Sequence, residues 1–290
     1  TNPRDIVVLD GIPNEISVVM GIITSEFQTP LSHINVLSQN RGTPNMALRD
    51  AQDDPQLRAL EGQWVRLEVG AFDYSIEGVS QAEADAFWET NRPETIHVPE
   101  LDLSITELTD IVDLLDPNLP LDEALSQAIA AFGGKASHFA ALAMIGEDVP
   151  VPRAFAIPVA RYRQFMEENG FQERIEALLS NDRFLSDPEF REDQLRELRR
   201  DMREAPVDPQ LEALLLDKLR REFPGTRMRF RSSTNAEDLD GFSGAGLYDS
   251  KSGDPDDPER PVLDALRKVW ASLWNFRAFE ERSYRGIDHT

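Results

Sequence analysis

Cysteine is missing from all 290 residues of the chain. That excludes disulfides, a thiolate zinc site and a cysteine nucleophile, and it constrains the compartment only weakly. Long apolar runs are also missing: nothing approaches the roughly 18–20 residues needed to span a bilayer, and no leader pattern opens the chain. Cytoplasm is therefore the default expectation. Basic residues are scarce, 30 against 53 acidic ones, for a net charge of −23. A surface of that sign has no general affinity for nucleic acid or anionic membrane. It still allows a nucleotide site, which needs only a few local cations. Histidine occurs four times, at 33, 97, 138 and 289, with no spacing that resembles a metal site or a Ser–His–Asp triad.

What is present describes an ordinary globular protein, 40% hydrophobic and 29% charged, and long enough for two domains. The first residue is Thr1 rather than Met, which reads as a segment of something larger. Apolar runs at 6–9 and 16–23 predict two short buried strands around a Gly11–Ile12–Pro13–Asn14 turn. A short helix follows, with Ser32 as N-cap, Ile34 and Leu37 facing inward, and Gly42 with Pro44 as its stop. Further strands are expected at 44–48 and 64–69, so residues 1–79 read as a small α/β domain. Residues 80–110 read as a linker or hinge: a short acidic helix from Ser80 carrying Phe87 and Trp88, then proline-broken sequence. From 111 to 290 the pattern becomes helical, near 123–132, 138–145, 159–169, 187–204 and 208–223. Strands are expected at 154–157 and 227–231, and one long last element at 259–280 carries Val262, Leu266, Val269, Trp270 and Trp274.

Three clusters could carry chemistry. The first is His33 at a helix N-terminus, where the field disfavours imidazolium and keeps the ring neutral and nucleophilic. Taken alone, a histidine there reads first as a partly buried one satisfied by a neighbour. The second is Gly133–Gly134–Lys135–Ala136–Ser137, where glycines before a helix let main-chain N–H groups approach a phosphate and Lys135 adds a point charge. It is not a Walker A loop, since position 129 is not glycine, and a C-cap glycine pair with an exposed lysine would look the same. The third runs from Arg231, Ser232, Ser233 and Thr234 through Glu237 to Ser243, Gly244, Ala245 and Gly246. Here Arg231 offers a fork to phosphate oxygens, Thr234-x-x-Glu237 has capping-box form, and the small residues could form a flap. A Gly-rich surface loop is the plain alternative. His97 and His289 read as solvated, and His138 as packing.

Taken together, these clusters resemble the phosphoenolpyruvate synthase and pyruvate phosphate dikinase superfamily. Gly21–Ile22–Ile23–Thr24, Glu26, Ser32–His33 and Arg41–Gly42–Thr43–Pro44 match its phosphohistidine domain, with Phe27–Gln28 where a glycine pair is usual and Leu31 before Ser32. Gly133–Gly134–Lys135–Ala136, Val151–Pro152 to Ile157, Phe230–Arg231–Ser232–Ser233, Glu237–Asp238, Phe242 to Gly246 and Val269–Trp270–Ala271–Ser272–Leu273–Trp274 match the first part of its ATP-grasp-like domain.

The resemblance implies an α/β fold: a swivelling phosphohistidine domain at 1–79, the 80–110 hinge, and an incomplete nucleotide domain at 111–290. It implies an ATP-dependent dikinase in which His33 is the phospho-acceptor, Lys135, Arg231 and Ser232 contact ATP phosphates, and Ser243, Gly244, Ala245 and Gly246 cover them. Mg²⁺ is expected, with ligands outside this chain. The second acceptor would be pyruvate or another small molecule. The order of the domains looks more like α-glucan water dikinases, which makes a carbohydrate acceptor the alternative. A nucleotide-binding regulatory protein that has lost transfer is another.

Overall fold

The computed structural model describes residues 3–13, 16–30, 32–92, 96, 98–146, 149–236, 244 and 246–289, except for the side chains of His33 and Asn40. The chain forms two compact units, residues 1–95 and 96–290, so their boundary falls inside the 80–110 stretch. Helix and sheet are mixed, as expected for the α/β class.

The first unit is built on a parallel three-stranded sheet of β1 (Ile6–Leu9), β2 (Gly21–Thr24) and β3 (Asn45–Ala47), with β2 in the centre. Pairing begins at Ile6 opposite Gly21, so residues 16–20 of the predicted strand stay outside the ladder although Val18 and Val19 are buried. Side chains alternate across the central strand. Ile22 joins Ile16, Val19 and Ile34 on one face, and Ile23 joins Leu57, Leu67 and Ile76 on the other.

Helix α1 (His33–Arg41) connects β2 to β3. Gly42, at φ +67°, closes it by donating to Ser38 and Gln39 carbonyls, a left-handed cap that glycine adopts without steric cost. Helix α2 (Pro55–Leu60), within a stretch that reads only as polar, is capped by the Asp54 carboxylate and starts on proline. The antiparallel pair β4 (Val65–Val69) and β5 (Tyr74–Gly78) covers the Ile23 face.

Helix α3 (Gln81–Asn91) carries the Ser80–Glu83 capping box but buries no residue. It is tied to its unit by Arg4, whose Nη2 lies 2.6 Å from Asp85 and whose guanidinium sits over the Trp64 and Trp88 rings.

The second unit opens with β6 (Thr109–Asp110), α4 (Leu121–Phe132) and α5 (Gly134–Met144). β7 (Phe155–Ala156) pairs antiparallel with β6. Helices α6 (Val159–Glu168), α7 (Phe171–Leu179), α8 (Asp182–Ser186), α9 (Pro188–Glu204) and α10 (Pro209–Glu222) follow. A hairpin of β8 (Met228–Arg231) and β9 (Ser250–Gly253) precedes α11 (Val262–Ala271) and α12 (Phe276–Tyr284). The core gathers Leu195, Leu198, Met202, Leu215, Leu219 and Leu266, each at heptad-like spacing on its helix. A buried ion pair crosses it: Arg191 Nε donates to Glu280 Oε1 at 2.7 Å, and Arg191 Nη1 donates to the Phe184 carbonyl.

The expected single element at 259–280 is broken at residues 272–275. The physical cause is lateral: Ser272, Asn275 and Arg277 turn their polar groups to the segment 247–249 rather than serving a continuous helix. Among the described residues, no helix is long and apolar enough to cross a membrane.

Candidate functional site

The two glycine-containing clusters, about a hundred residues apart in sequence, meet in the second unit. Gly133 adopts φ +80°, ψ 165°, a region open essentially to glycine alone. A Cβ there would collide with the Ser233 carbonyl and lie 2.6 Å from Thr234 N. This close approach lets the chain ends be stitched together. Gly134 N donates to Thr234 O (2.9 Å), Ala136 N donates to Ser233 Oγ (2.9 Å), and Ser233 Oγ donates to Phe132 O (2.7 Å). Ser233 therefore caps α5 from a distant loop, the role that a serine immediately before a helix usually fills. Ser137 Oγ donates to the Gly133 carbonyl (2.8 Å) and holds the glycine from the helix side.

The sequence expectation of free N–H groups aimed at a phosphate thus meets a helix start whose Gly134 and Ala136 N–H groups are engaged by the chain itself. Side-chain donors stand beside this helix start. Lys135 is half-buried with Nζ 3.5 Å from Ser232 Oγ, and Ser232 is buried. Arg231, next to Ser232, ends β8 with its side chain exposed. Arg229 lies on the same face by strand alternation and reaches Ser252 Oγ at 3.3 Å. A lysine ammonium, a hydroxyl and a guanidinium fork are a donor set suited to phosphate oxygens.

Of the flap residues, Gly244 and Gly246 are described, whereas Ser243, Ala245 and Glu237 lie outside the described residues. Gly246 adopts φ +77°, and Leu247 N donates to Gly244 O. The base of this loop is held by residues that sequence reasoning did not assign to the site. Leu247 O accepts from Asn275 Nδ2 (3.1 Å) and Arg277 Nε (3.2 Å), and Asp249 N donates to Ser272 Oγ (3.0 Å). Ser272 inside the Trp270–Trp274 motif, with Asn275 and Arg277 just after it, was the available signal, since a helix that needed only packing would not carry them.

In the first unit, Ser32 precedes α1 in an extended conformation, and its side chain does not cap the helix. Its hydroxyl oxygen is buried and has no hydrogen-bond partner among the described residues. His33 is the first helical residue, and its side chain lies outside the described residues. The preceding loop turns one side chain inward, Gln28, which forms a reciprocal amide pair with Asn45.

Two histidine readings change. His138 is exposed rather than packed. His289, read as solvated, stacks on Phe279 at 4.0 Å between centroids, accepts from Arg282 Nε, and contacts Ser283 Oγ. Burial, with the Arg282 charge second, pushes its pKa down to about 3. His97 lies outside the described residues. Among the described residues, no group of three or more His, Asp or Glu is placed to hold a metal ion.

Comparison with known proteins agrees with this geometry. The family described as pyruvate phosphate dikinase, AMP/ATP-binding domain, matches residues 129–290, a span that contains the Lys135, Arg231 and 243–246 clusters. The chain is 31% identical over 176 residues to a phosphoenolpyruvate synthase of Aeropyrum pernix, covering 58% of this chain and 21% of that protein. It is 31% identical over 173 residues to a rifampicin phosphotransferase of Streptomyces sviceus, covering 59% and 19%. It is 29% identical over 151 residues to the phosphoenolpyruvate synthase of Escherichia coli, covering 50% and 18%. The chain spans about a fifth of the length of these curated relatives. No solved structure is a significant match. With more than half of its length inside the family match, and with the matched motifs stitched into one site, the chain belongs to the pyruvate phosphate dikinase AMP/ATP-binding domain family.

Proposed function

We propose that this chain is part of an ATP-dependent phosphotransferase that relays a phosphoryl group through His33. The observation that carries the reading is the packing of Lys135 against Ser232 across 97 residues of sequence. That packing brings an ammonium and a hydroxyl together at the start of α5, one residue along the chain from the exposed Arg231. Lys135 and Arg231 would neutralise the phosphate charge, and the loop at Ser243, Gly244, Ala245 and Gly246 would close over it. Such a site works by positioning and charge neutralisation rather than by covalent chemistry of its own. Mg²⁺, with ligands elsewhere in the protein, would supply the remaining countercharge.

In the same reading, residues 1–79 form the carrier domain, 80–110 the hinge and 111–290 the nucleotide domain. His33 takes the β-phosphoryl group of ATP: an N–P bond forms at the β-phosphorus as its P–O bond to AMP breaks, the γ-phosphate is cleaved by water and leaves as inorganic phosphate, and the phosphohistidine then passes its phosphoryl group to a second acceptor. A relay splits one difficult transfer into two easier ones. The acceptor is a small molecule: phosphoenolpyruvate synthases point to pyruvate, and the rifampicin phosphotransferases among the relatives favour a larger organic hydroxyl as the second reading.

The test is incubation of the intact protein with β-labelled or γ-labelled ATP. Acid-labile label retained on residue 33 from the β-labelled nucleotide alone is expected. Unchanged labelling in His33→Ala removes His33 from the relay. Tight ATP binding with no label at all favours a regulatory protein.

A further inference from the structure

The loop between β2 and α1 shows how the backbone around His33 is held. Of residues 25–30 only Gln28 is buried, at 8% exposure, while Phe27 beside it stands 82% exposed. Gln28 Nε2 donates to Asn45 Oδ1 (2.8 Å), and Asn45 Nδ2 donates back to Gln28 Oε1 (2.8 Å). The second N–H of each amide is also used: Gln28 Nε2 reaches Thr24 Oγ1 (2.8 Å), and Asn45 Nδ2 reaches Asn35 Oδ1 (2.7 Å). Asn35, in the first turn of α1, then donates from Nδ2 to the Thr29 carbonyl (2.7 Å). That same carbonyl accepts the Ser32 N–H at 3.0 Å.

This network joins the end of β2, the loop, the first turn of α1 and the start of β3, and it uses both amide N–H groups of Gln28 and of Asn45. Two apolar side chains at 28 and 45 would fill the space without the cost of desolvating amides. What paired amides add is direction, because each hydrogen bond is satisfied in one arrangement only. The backbone is thereby fixed at Thr29 before His33 and at Asn35 after it.

We propose that the Gln28–Asn45–Asn35 amide network is the positioning device of the phosphoryl-acceptor loop, holding the His33 backbone in register for transfer. It does this where a more pliable glycine pair would leave the loop freer. The inference rests on the reading of His33 as acceptor. Gln28, Asn45 and Asn35 act through the loop and touch no reacting atom.

The test uses the intact protein, β-labelled ATP and the initial rate of label uptake on residue 33. Gln28→Glu is the diagnostic variant. A protonated carboxyl offers one O–H donor and one acceptor and can rebuild the pair with Asn45, whereas an ionised one can only accept. Its buried position raises its pKa toward neutrality. Thr24, Asn35 and Asn45 are neutral, and Glu26, the charged residue of the loop, is present in wild type and variant alike. Uptake by Gln28→Glu relative to wild type should be close to unity near about pH 6 and about tenfold lower near about pH 9. The nucleotide concentration for half-maximal rate should not change. Asn35→Ala, which cuts the tie to Thr29 from the helix side, should slow uptake about tenfold at every pH with little change in melting temperature. It decides alone if Gln28→Glu does not fold. Wild-type rates in Asn35→Ala, or a wild-type pH profile in folded Gln28→Glu, overturn the positioning role and leave His33 as acceptor. A wild-type protein that takes no label on residue 33 overturns the acceptor reading and this inference with it.

Discussion

Gly133→Ala is the sharpest perturbation of the nucleotide unit, because its cost can be worked from three separate observations. The backbone at φ +80°, ψ 165° is a conformation that costs a non-glycine residue about 1–3 kcal/mol. The added Cβ would also meet the main chain of Ser233 and Thr234, which is not the movable end of a side chain. Relief requires the 231–234 segment to move away from α5, and that movement lengthens two hydrogen bonds, Gly134 N to Thr234 O and Ala136 N to Ser233 Oγ. Each contributes about 0.5–1.5 kcal/mol. The sum is about 2–6 kcal/mol, a large share of the roughly 5–15 kcal/mol that holds a domain folded.

Gly225→Ala is the control. It too has a positive φ (+65°), but a Cβ there meets nothing within 4 Å, so only the backbone term of about 1–2 kcal/mol applies. Urea unfolding followed by tryptophan fluorescence reports the second unit through buried Trp270 and Trp274. Equal losses in the two variants would show that the contact between α5 and the 231–234 segment contributes nothing beyond backbone conformation, and would refute the stitched site.

Lys135→Met should weaken ATP binding by about tenfold or more with little change in melting temperature, read by calorimetric titration; unchanged affinity would remove Lys135 from the site. Arg191→Leu leaves Glu280 buried and unpaired and should cost about 3–5 kcal/mol in urea unfolding, with part of the loss recovered when Glu280 is also made apolar. A cost below about 1 kcal/mol would show the pair to be dispensable. His289 is held near 3 when folded against 6.5 in its ordinary state. The unfolded chain therefore binds the extra proton between these values, and this contribution to stability is present above about pH 6.5 and falls as pH drops toward 3. Between about pH 8 and pH 5 it should remove about 2 kcal/mol, and His289→Phe should flatten that part of the unfolding profile. A slope identical to wild type would refute it.

The sequence was most legible where one local rule decides the outcome. Gly42 ends α1, Ile34 and Leu37 turn inward, and the Ser80–Glu83 box opens α3. Helix α10 buries Leu211, Leu215 and Leu219 at helical spacing, yet Leu214, which keeps the same spacing, is exposed. Periodicity fixes a face but not its width. Helices α2, α7 and α8 and strand β5 are short elements that the apolar pattern passes over, and strand β9 depends on a partner some distance along the chain. β9, Ser250–Gly253, is polar by composition and becomes a strand only because Arg229 and Arg231 on β8 pair with Ser252 and Ser250. The site was legible as residue types and illegible as connections. Gly133 is recognisable as a glycine that matters, but that it faces Ser233 requires the chain to be folded. The same holds for Gln28, which as a sequence feature is a departure from a glycine pair and as a structure is the centre of an amide network.

The two ends of the glycine-rich loop explain why so few cations can serve this site. On one side Ser233 and Thr234 are fastened to α5; on the other, Leu247 and Asp249 are fastened to Ser272, Asn275 and Arg277. The start and return of the loop are thus set by neutral hydrogen bonds and one guanidinium, whichever path the residues between them take. Fastening the helix start in this way uses its Gly134 and Ala136 N–H groups, which in an open helix N-terminus would face an anion. In the proposed function those two N–H groups are not available to the phosphates, and side chains carry the countercharge. The cations the proposal assigns to the phosphates are Lys135, whose ammonium lies 3.5 Å from Ser232 Oγ, and the exposed Arg231 at the end of β8, in a chain whose net charge is −23. Loss of any one of these cations should cost nucleotide affinity rather than stability, because the packing that forms the site is carried by Gly133 and Ser233 and not by charge.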